Sequence, residues 1–282
     1  NPRGEAVSLS VVPAHWLQSG IAATDGEGFQ APGPESFWWP LIGSDTSNWA
    51  FTRPSFVVMA SVVIIAIYYM SVVNKLTIVP TKRQWIAEQS YDFVRNTIAR
   101  DVIGSKDFLQ FLPLLLTLFT LILFNNIMGI VPFVQFPSMS RIAFPIVLTL
   151  IVYIVYHTVA IRRKHGVVGY LKSLVPPGLP GWLKPIMFIL EFLTYFLIRP
   201  LTLALRLFGN MLAGHLMLLV FILGGEYLLL HGSNLFVQFS GVLGLGFGIV
   251  MTFFELLVQF LQAFIFTLLA ALYISDAVSE HH

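Results

Sequence analysis

Four ionisable side chains, Glu191, Arg199, Arg206 and Glu255, stand inside stretches that are otherwise apolar, with Asn210, His215, Gln259 and Gln262 close by in the chain. An unneutralised charge at the centre of a bilayer costs about 2.5–3.5 kcal/mol on insertion scales, so intramembrane ionisable groups mark ion paths or proton relays by default. Carboxylates and imidazoles exchange protons; a guanidinium does not, but it holds a nearby carboxylate ionised. The chemistry on offer is proton transfer steered by a fixed positive charge.

Spacing sharpens this reading. At about 100° per residue, Thr202, Gly209, Asn210 and Ala213 all lie within about 60° of Arg206, and His215 lies on the opposite face. The small side chains of Gly209 and Ala213 let another helix approach the arginine. Glu255, Gln259 and Gln262 are four and seven residues apart, which puts them on one stripe that must face protein or water. Plainer roles compete. Arg206 could pair with Glu255 or Glu191 as structural glue, and Asn210, His215 and Gln259 could serve packing and hydrogen bonding. Arg199, next to Pro200, is expected to snorkel. Asn125 and Asn126 are expected to cap a span, His157 to sit at an interface, and His281 and His282 to form a tail.

The elements that must carry these residues follow from composition and length. Of 282 residues, 56% are hydrophobic and 11% charged, against roughly a quarter charged in soluble domains. Apolar runs of about 20 residues match a hydrocarbon core of about 30 Å. The runs predict an all-α membrane protein with about five transmembrane helices, near 55–73, 108–131, 142–161, 185–223 and 235–274. Residues near 84–101 mix Trp85, Ile86, Tyr91, Phe93, Val94 and Ile98 with basic side chains, as an amphipathic surface helix does. Residues 1–54 hold six prolines together with Trp16, Trp38, Trp39 and Trp49. They are expected to be an irregular extracytoplasmic segment ending in an interfacial aromatic belt, with no signal-peptide core, before a single membrane domain over 55–282.

The last two runs each hold about 40 residues around a polar turn expected at Gly224–Asn234. As helices rising about 1.5 Å per residue, each would be roughly 60 Å long, twice the membrane thickness. Either each breaks in two, or the pair forms a long hairpin tilted about 60° from the normal, beyond the usual 0–40° range. Only Pro200 interrupts the first run, which favours the tilted hairpin. In the second, Gly241, Gly244, Gly246 and Gly248 could mark a break or a close helix contact. Of the 16 Lys and Arg, six fall in 74–108 and five in 161–184. These loops are expected in the cytoplasm, with the N-terminus outside and the C-terminus inside.

The segment Arg199-Pro-Leu-Thr-Leu-Ala-Leu-Arg206-Leu-Phe-Gly-Asn210-Met-Leu-Ala-Gly-His215 resembles the signature of subunit a in the membrane sector of bacterial F-type ATP synthases. Asn126-Ile-Met-Gly129-Ile-Val-Pro132 and the stretch from Glu255 through Gln262 into Ala-Phe-Ile-Phe-Thr-Leu-Leu agree with it, covering about residues 109–275 in order. The resemblance implies a proton-translocating stator in the cell inner membrane, whose hairpin presses on a c-subunit ring and which assembles with peripheral-stalk b subunits and the rest of the synthase. It implies that Arg206 is the essential arginine separating two half-channels of a rotary motor, and that Asn210, His215, Glu255 and Gln262 line them. Glu191 and Gln259 join the expected proton path; Thr202, Gly209 and Ala213 form the expected ring contact. Some family members carry an acid where His215 stands and a histidine where Glu255 stands. The order of the two groups is reversed here.

No Walker loop, H-E-x-x-H helix or nucleophile elbow occurs, so no catalytic site of its own, metal or cofactor is expected. Absent cysteines exclude thiol chemistry, and a net charge of +2 with no basic groove excludes nucleic acid. A self-contained secondary transporter or channel is the alternative, but such folds often show repeated halves, and none is found here.

Overall fold

Backbone that crosses hydrocarbon must satisfy its own N–H and C=O groups, so an apolar chain of this length has helices as its main solution. The computed structural model describes residues 40–42, 51–131, 138–175, 178, 180–232 and 234–279, with side chains from Ser55 onward. The expectations for residues 1–39 and for Trp49, Pro132, His281 and His282 lie outside the described residues. Two short strands, β1 (Pro40–Ile42) and β2 (Phe51–Thr52), pair antiparallel. The helices are α1 (Arg53–Val73), α2 (Lys82–Phe93), α3 (Phe108–Ile130), α4 (Ala143–Arg163), α5 (Val167–Ser173), α6 (Lys184–Leu193), α7 (Arg199–His231) and α8 (Leu235–Val278). α2 runs on through a π-helical segment, Val94–Arg100, and a last turn, Asp101–Ile103. A second π-helical segment, Thr194–Ile198, joins α6 to α7, making an apolar helical stretch from Lys184 to His231.

Among the described residues, five helical stretches are long and apolar enough to cross a membrane, ending with Lys184–His231 at 48 residues and Leu235–Val278 at 44. The chain is an all-α membrane protein. Pro200 does not break the sixth and seventh helices, because it sits in the second position of α7, just after the wider π turn. The polar turn expected at Gly224–Asn234 is shorter. α7 continues to His231, because the glycines there serve packing between helices. A Cβ at Gly241 would lie 2.7 Å from the Gly225 carbonyl, and one at Gly225 would lie 2.9 Å from the Leu245 nitrogen. Gly244 and Gly248 also face the opposing helix closely, whereas Gly246 has open space around it. The glycine-rich start of α8 is therefore a contact surface in an unbroken helix.

The described residues fall into two compact units. The smaller holds Leu216–Ile249 and is built on that glycine contact, with Phe221 stacked on Phe247. The larger holds Pro40–His215 and Val250–His282. Its core includes Ile98, Leu115, Ile122, Val152, Leu207, Phe266 and Ile274, all wholly buried. α2 differs from a simple surface helix. Trp85 and Ile86 are exposed, while Val94 and Ile98, in the π-helical continuation, are buried in the core.

Three polar placements differ from expectation. Asn125 and Asn126 do not cap α3 but sit inside it, fully buried, since its last residue is Ile130. Asn125 donates to Ser61 Oγ of α1 at 2.8 Å, and Asn126 donates to the Gln259 carbonyl of α8 at 3.3 Å. In a medium without water, such side chains gain more from another helix than from a helix end. His157 is not interfacial: it is buried, its Nδ1 3.0 Å from the Tyr170 hydroxyl, with Tyr153 and Phe196 around its ring. Arg199 does not snorkel, because a carboxylate is within reach. Its guanidinium pairs with Asp276 at 2.8 Å and lies 3.8 Å above the Tyr195 ring.

Candidate functional site

In the larger unit the first half of α7 and the second half of α8 run antiparallel, and this register decides which polar groups meet. His215 lies beside Glu255, Asn210 beside Gln262, and Arg199 beside Asp276. His215 Nδ1 is 2.6 Å from Glu255 Oε1, with both side chains buried. The same nitrogen is 3.1 Å from the Met211 carbonyl. Gln259 Nε2 donates to Glu255 Oε1 at 3.4 Å, and Asn210 Nδ2 donates to Gln262 Oε1 at 2.5 Å.

Burial makes these contacts matter. A buried polar atom without a partner is costly, and each such atom in a native structure calls for an explanation. Glu255 Oε2, His215 Nε2, Gln259 Oε1, Gln262 Nε2 and Asn126 Oδ1 are all buried and have no partner within the chain. They line the same stretch of α8 and its neighbours. A row of half-satisfied donors and acceptors around an acid and an imidazole is suited to passing protons and ill suited to merely gluing helices.

Gly214 was not legible as a site residue, yet it makes the acid's place. A Cβ there would lie 2.9 Å from Glu255 Oε1 and 3.0 Å from its Cδ. Its only sequence signal is its position next to His215.

Arg206 is placed differently. It is exposed on α7, with Thr202 and Ala213 also exposed, and a Cβ at Gly209 would meet nothing within 4 Å. No hydrogen bond or ion pair within the chain holds Arg206 among the described residues, so it is not glue for Glu255 or Glu191. The stripe expected from helical spacing is thus an open face with a cation at its centre.

Glu191 does not join the His215–Glu255 group. It lines a separate cavity of about 130 Å³ with Lys164, Tyr170, Tyr195, Tyr273 and Asp276. Burial pushes the Lys164 ammonium below the ordinary lysine range, while the nearby Asp276 carboxylate works the other way. Burial also raises the Tyr170 hydroxyl above the usual tyrosine range. Asp276, Lys164 and the tyrosines were missed as site residues. The antiparallel register that carries Arg199 to the level of Asp276 is their only signal.

With this geometry in hand, comparison with known proteins is decisive. Residues 55–275 match the family described as ATP synthase A chain. The chain belongs to that family. A protein of Nocardioides sp. described as ATP synthase subunit a is 40% identical over 274 residues, covering 93% of this chain and 98% of its own. One from Streptomyces lividans, with the same description, is 37% identical over 286 residues, covering 99% and 98%. One from Arthrobacter sp. is 42% identical over 205 residues, covering 73% and 76%. Membership of the ATP synthase A chain family, with bacterial relatives and long apolar helices, makes this a bacterial membrane protein. The matched stretch contains His215, Glu255, Gln259, Gln262, Asn210 and Arg206, while Asp276 lies one residue beyond it.

Proposed function

We propose that the chain is the stationary proton-conducting subunit of a rotary ATP synthase, lying in the bacterial plasma membrane with its N-terminal segment outside and its C-terminus in the cytoplasm. The clustering of basic residues between the early helices supports that orientation. In this reading the long α7–α8 hairpin is strongly tilted and its open face meets a ring of c subunits, while peripheral-stalk b subunits hold the chain still. The observation that carries the reading is the exposed Arg206, without a partner among the described residues and amid small side chains, on the same helix as the His215 of a buried acid–imidazole pair.

Protons enter from the outer side and pass through His215 and Glu255, with Gln259, Gln262 and Asn210 supplying hydrogen-bond steps. They reach a carboxylate of the ring at the face of Thr202, Gly209 and Ala213. Neutralised, that carboxylate can turn through lipid. Returning to Arg206, it meets a positive charge. At about 4 Å and an effective dielectric of about 20, the attraction is about 4 kcal/mol, enough to favour the ionised form about a thousandfold. Release then follows on the cytoplasmic side. Because a guanidinium keeps its proton, Arg206 also prevents leakage between inlet and outlet.

Arg206→Ala tests this directly. It should abolish ATP-driven acidification of vesicles and ATP synthesis while the complex still assembles. Normal acidification by that variant sinks the reading.

A further inference from the structure

The Asn125–Ser61 bond ties α3 to α1. From that level to the C-terminal end of α1, the two helices leave a groove of about 390 Å³. Val62, Ala66 and Met70 of α1 line it together with Pro113, Thr117 and Leu121 of α3. Val62 and Met70 are exposed, so the groove opens toward the surrounding hydrocarbon. Thr117 and Thr120 donate to carbonyls of their own helix at 2.8 and 2.7 Å, and the Tyr69 hydroxyl lies 3.1 Å from Ser90 Oγ of α2. The hydroxyls along the groove are therefore satisfied by the protein, and the wall left for an occupant is apolar.

Length decides what fits. Eight residues separate Val62 from Met70, and eight separate Pro113 from Leu121, about 12 Å of helix in each case. Against a hydrocarbon core of about 30 Å, this is close to the depth of one leaflet. A spanning helix of another subunit would need a seam through both leaflets, and the Asn125–Ser61 contact closes this one partway. An acyl chain needs only one leaflet.

Charge marks the open end. Beyond Met70 the chain turns into α2, and Lys75, Lys82 and Arg83 are exposed there, with no acid between residues 74 and 83. No ion pair within the chain holds any of the three among the described residues. The Tyr68 hydroxyl donates to the Arg83 carbonyl at 2.7 Å, which sets the start of α2 against α1. Gln84 fixes the shape of the turn: its amide donates to the Thr77 carbonyl at 3.0 Å and accepts from the Thr77 N–H at 3.2 Å. The turn held in this way presents Leu76, Ile78 and Val79, all exposed. Cations interleaved with bare apolar side chains suit a surface lying among anionic headgroups.

Resting on the membrane orientation given above, we propose that the groove seats one acyl chain of an anionic phospholipid of the cytoplasmic leaflet, with Lys75, Lys82 and Arg83 facing its headgroup. The acyl chain fills the space between α1 and α3, and the headgroup supplies the counter-charge that the turn lacks.

The test uses the whole complex in inside-out vesicles, whose cytoplasmic leaflet faces outward. Phosphatidylglycerol and phosphatidylcholine probes with the same photoreactive acyl chain are delivered to that leaflet, and the labelled residues are mapped after irradiation. Label should fall on residues 62–70 and 113–121, at least about tenfold more from phosphatidylglycerol, because each surface cation favours an anionic lipid severalfold. The combined variant Lys75→Gln, Lys82→Gln, Arg83→Gln should bring the two probes level. Ala66→Trp, which fills the groove, should remove label from both. Equal labelling of the parental complex by the two probes, a preference that survives the combined variant, or undiminished label in Ala66→Trp overturns the proposal. Absence of label from either leaflet, as a protein partner seated in the groove would give, overturns the lipid site alone. Selective label that appears only when the probe is delivered to the opposite leaflet overturns the membrane orientation instead.

Discussion

His215 Nδ1 and Glu255 Oε1 approach to 2.6 Å across the α7–α8 contact, each buried, and each with a second polar atom that finds no partner in the chain. The two groups share this one contact, so removing either side chain breaks it for both. Glu255→Gln and His215→Ala are each expected to lower passive proton flux through the membrane sector, by about tenfold or more. The double variant should be far less than additive. Flux measured after removal of the soluble sector checks this; parental flux in Glu255→Gln counts against a place on the path.

Gly214 tests the same pair without touching its chemistry. A Cβ 2.9 Å from Glu255 Oε1 forces the carboxylate to move. Gly214→Ala should therefore reduce proton flux and Gly214→Val should reduce it further, with the assembled complex recovered in normal amounts. Equal flux in all three proteins would mean the carboxylate has no fixed place.

Asn125 and Ser61 tie α3 to α1 through one buried hydrogen bond of 2.8 Å. Interhelical bonds in membranes contribute about 0.6 to 1.7 kcal/mol. Asn125→Ala should lower the thermal unfolding midpoint of the detergent-solubilised complex, while proton flux per assembled complex changes little. An unchanged midpoint would remove this bond from the list of stabilising contacts.

The glycines of α8 should separate into two classes. Gly241→Leu should impair packing and lower the yield of assembled complex, since even a Cβ there lies 2.7 Å from the Gly225 carbonyl. Gly246→Ala should be silent, because nothing lies within 4 Å of its Cβ position. Quantitative recovery of the intact complex from membranes distinguishes the two; matching yields would deny the close helix contact.

Much of the fold is legible in the chain because length and apolarity act locally. The runs that become α1, α3, α4, α7 and α8 are visible as such, and the cost of charge in lipid singles out Glu191, Arg199, Arg206 and Glu255. Helical periodicity alone puts Thr202, Gly209 and Ala213 beside Arg206. The end of α7 was misjudged because Gly224 and Gly225 look like turn residues until the opposing Gly241 is known.

By itself, then, the sequence determined that this protein lives in a membrane, as long helices with a few charges held inside. Only the tertiary structure decided who meets whom: Asn125 with Ser61, His157 with Tyr170, Arg199 with Asp276, and Glu255 with both His215 and the slot left by Gly214. Periodicity fixes the face a residue occupies on its own helix. Its partner depends on how far one helix slides along another, and that is set by the packing of distant small and bulky side chains together.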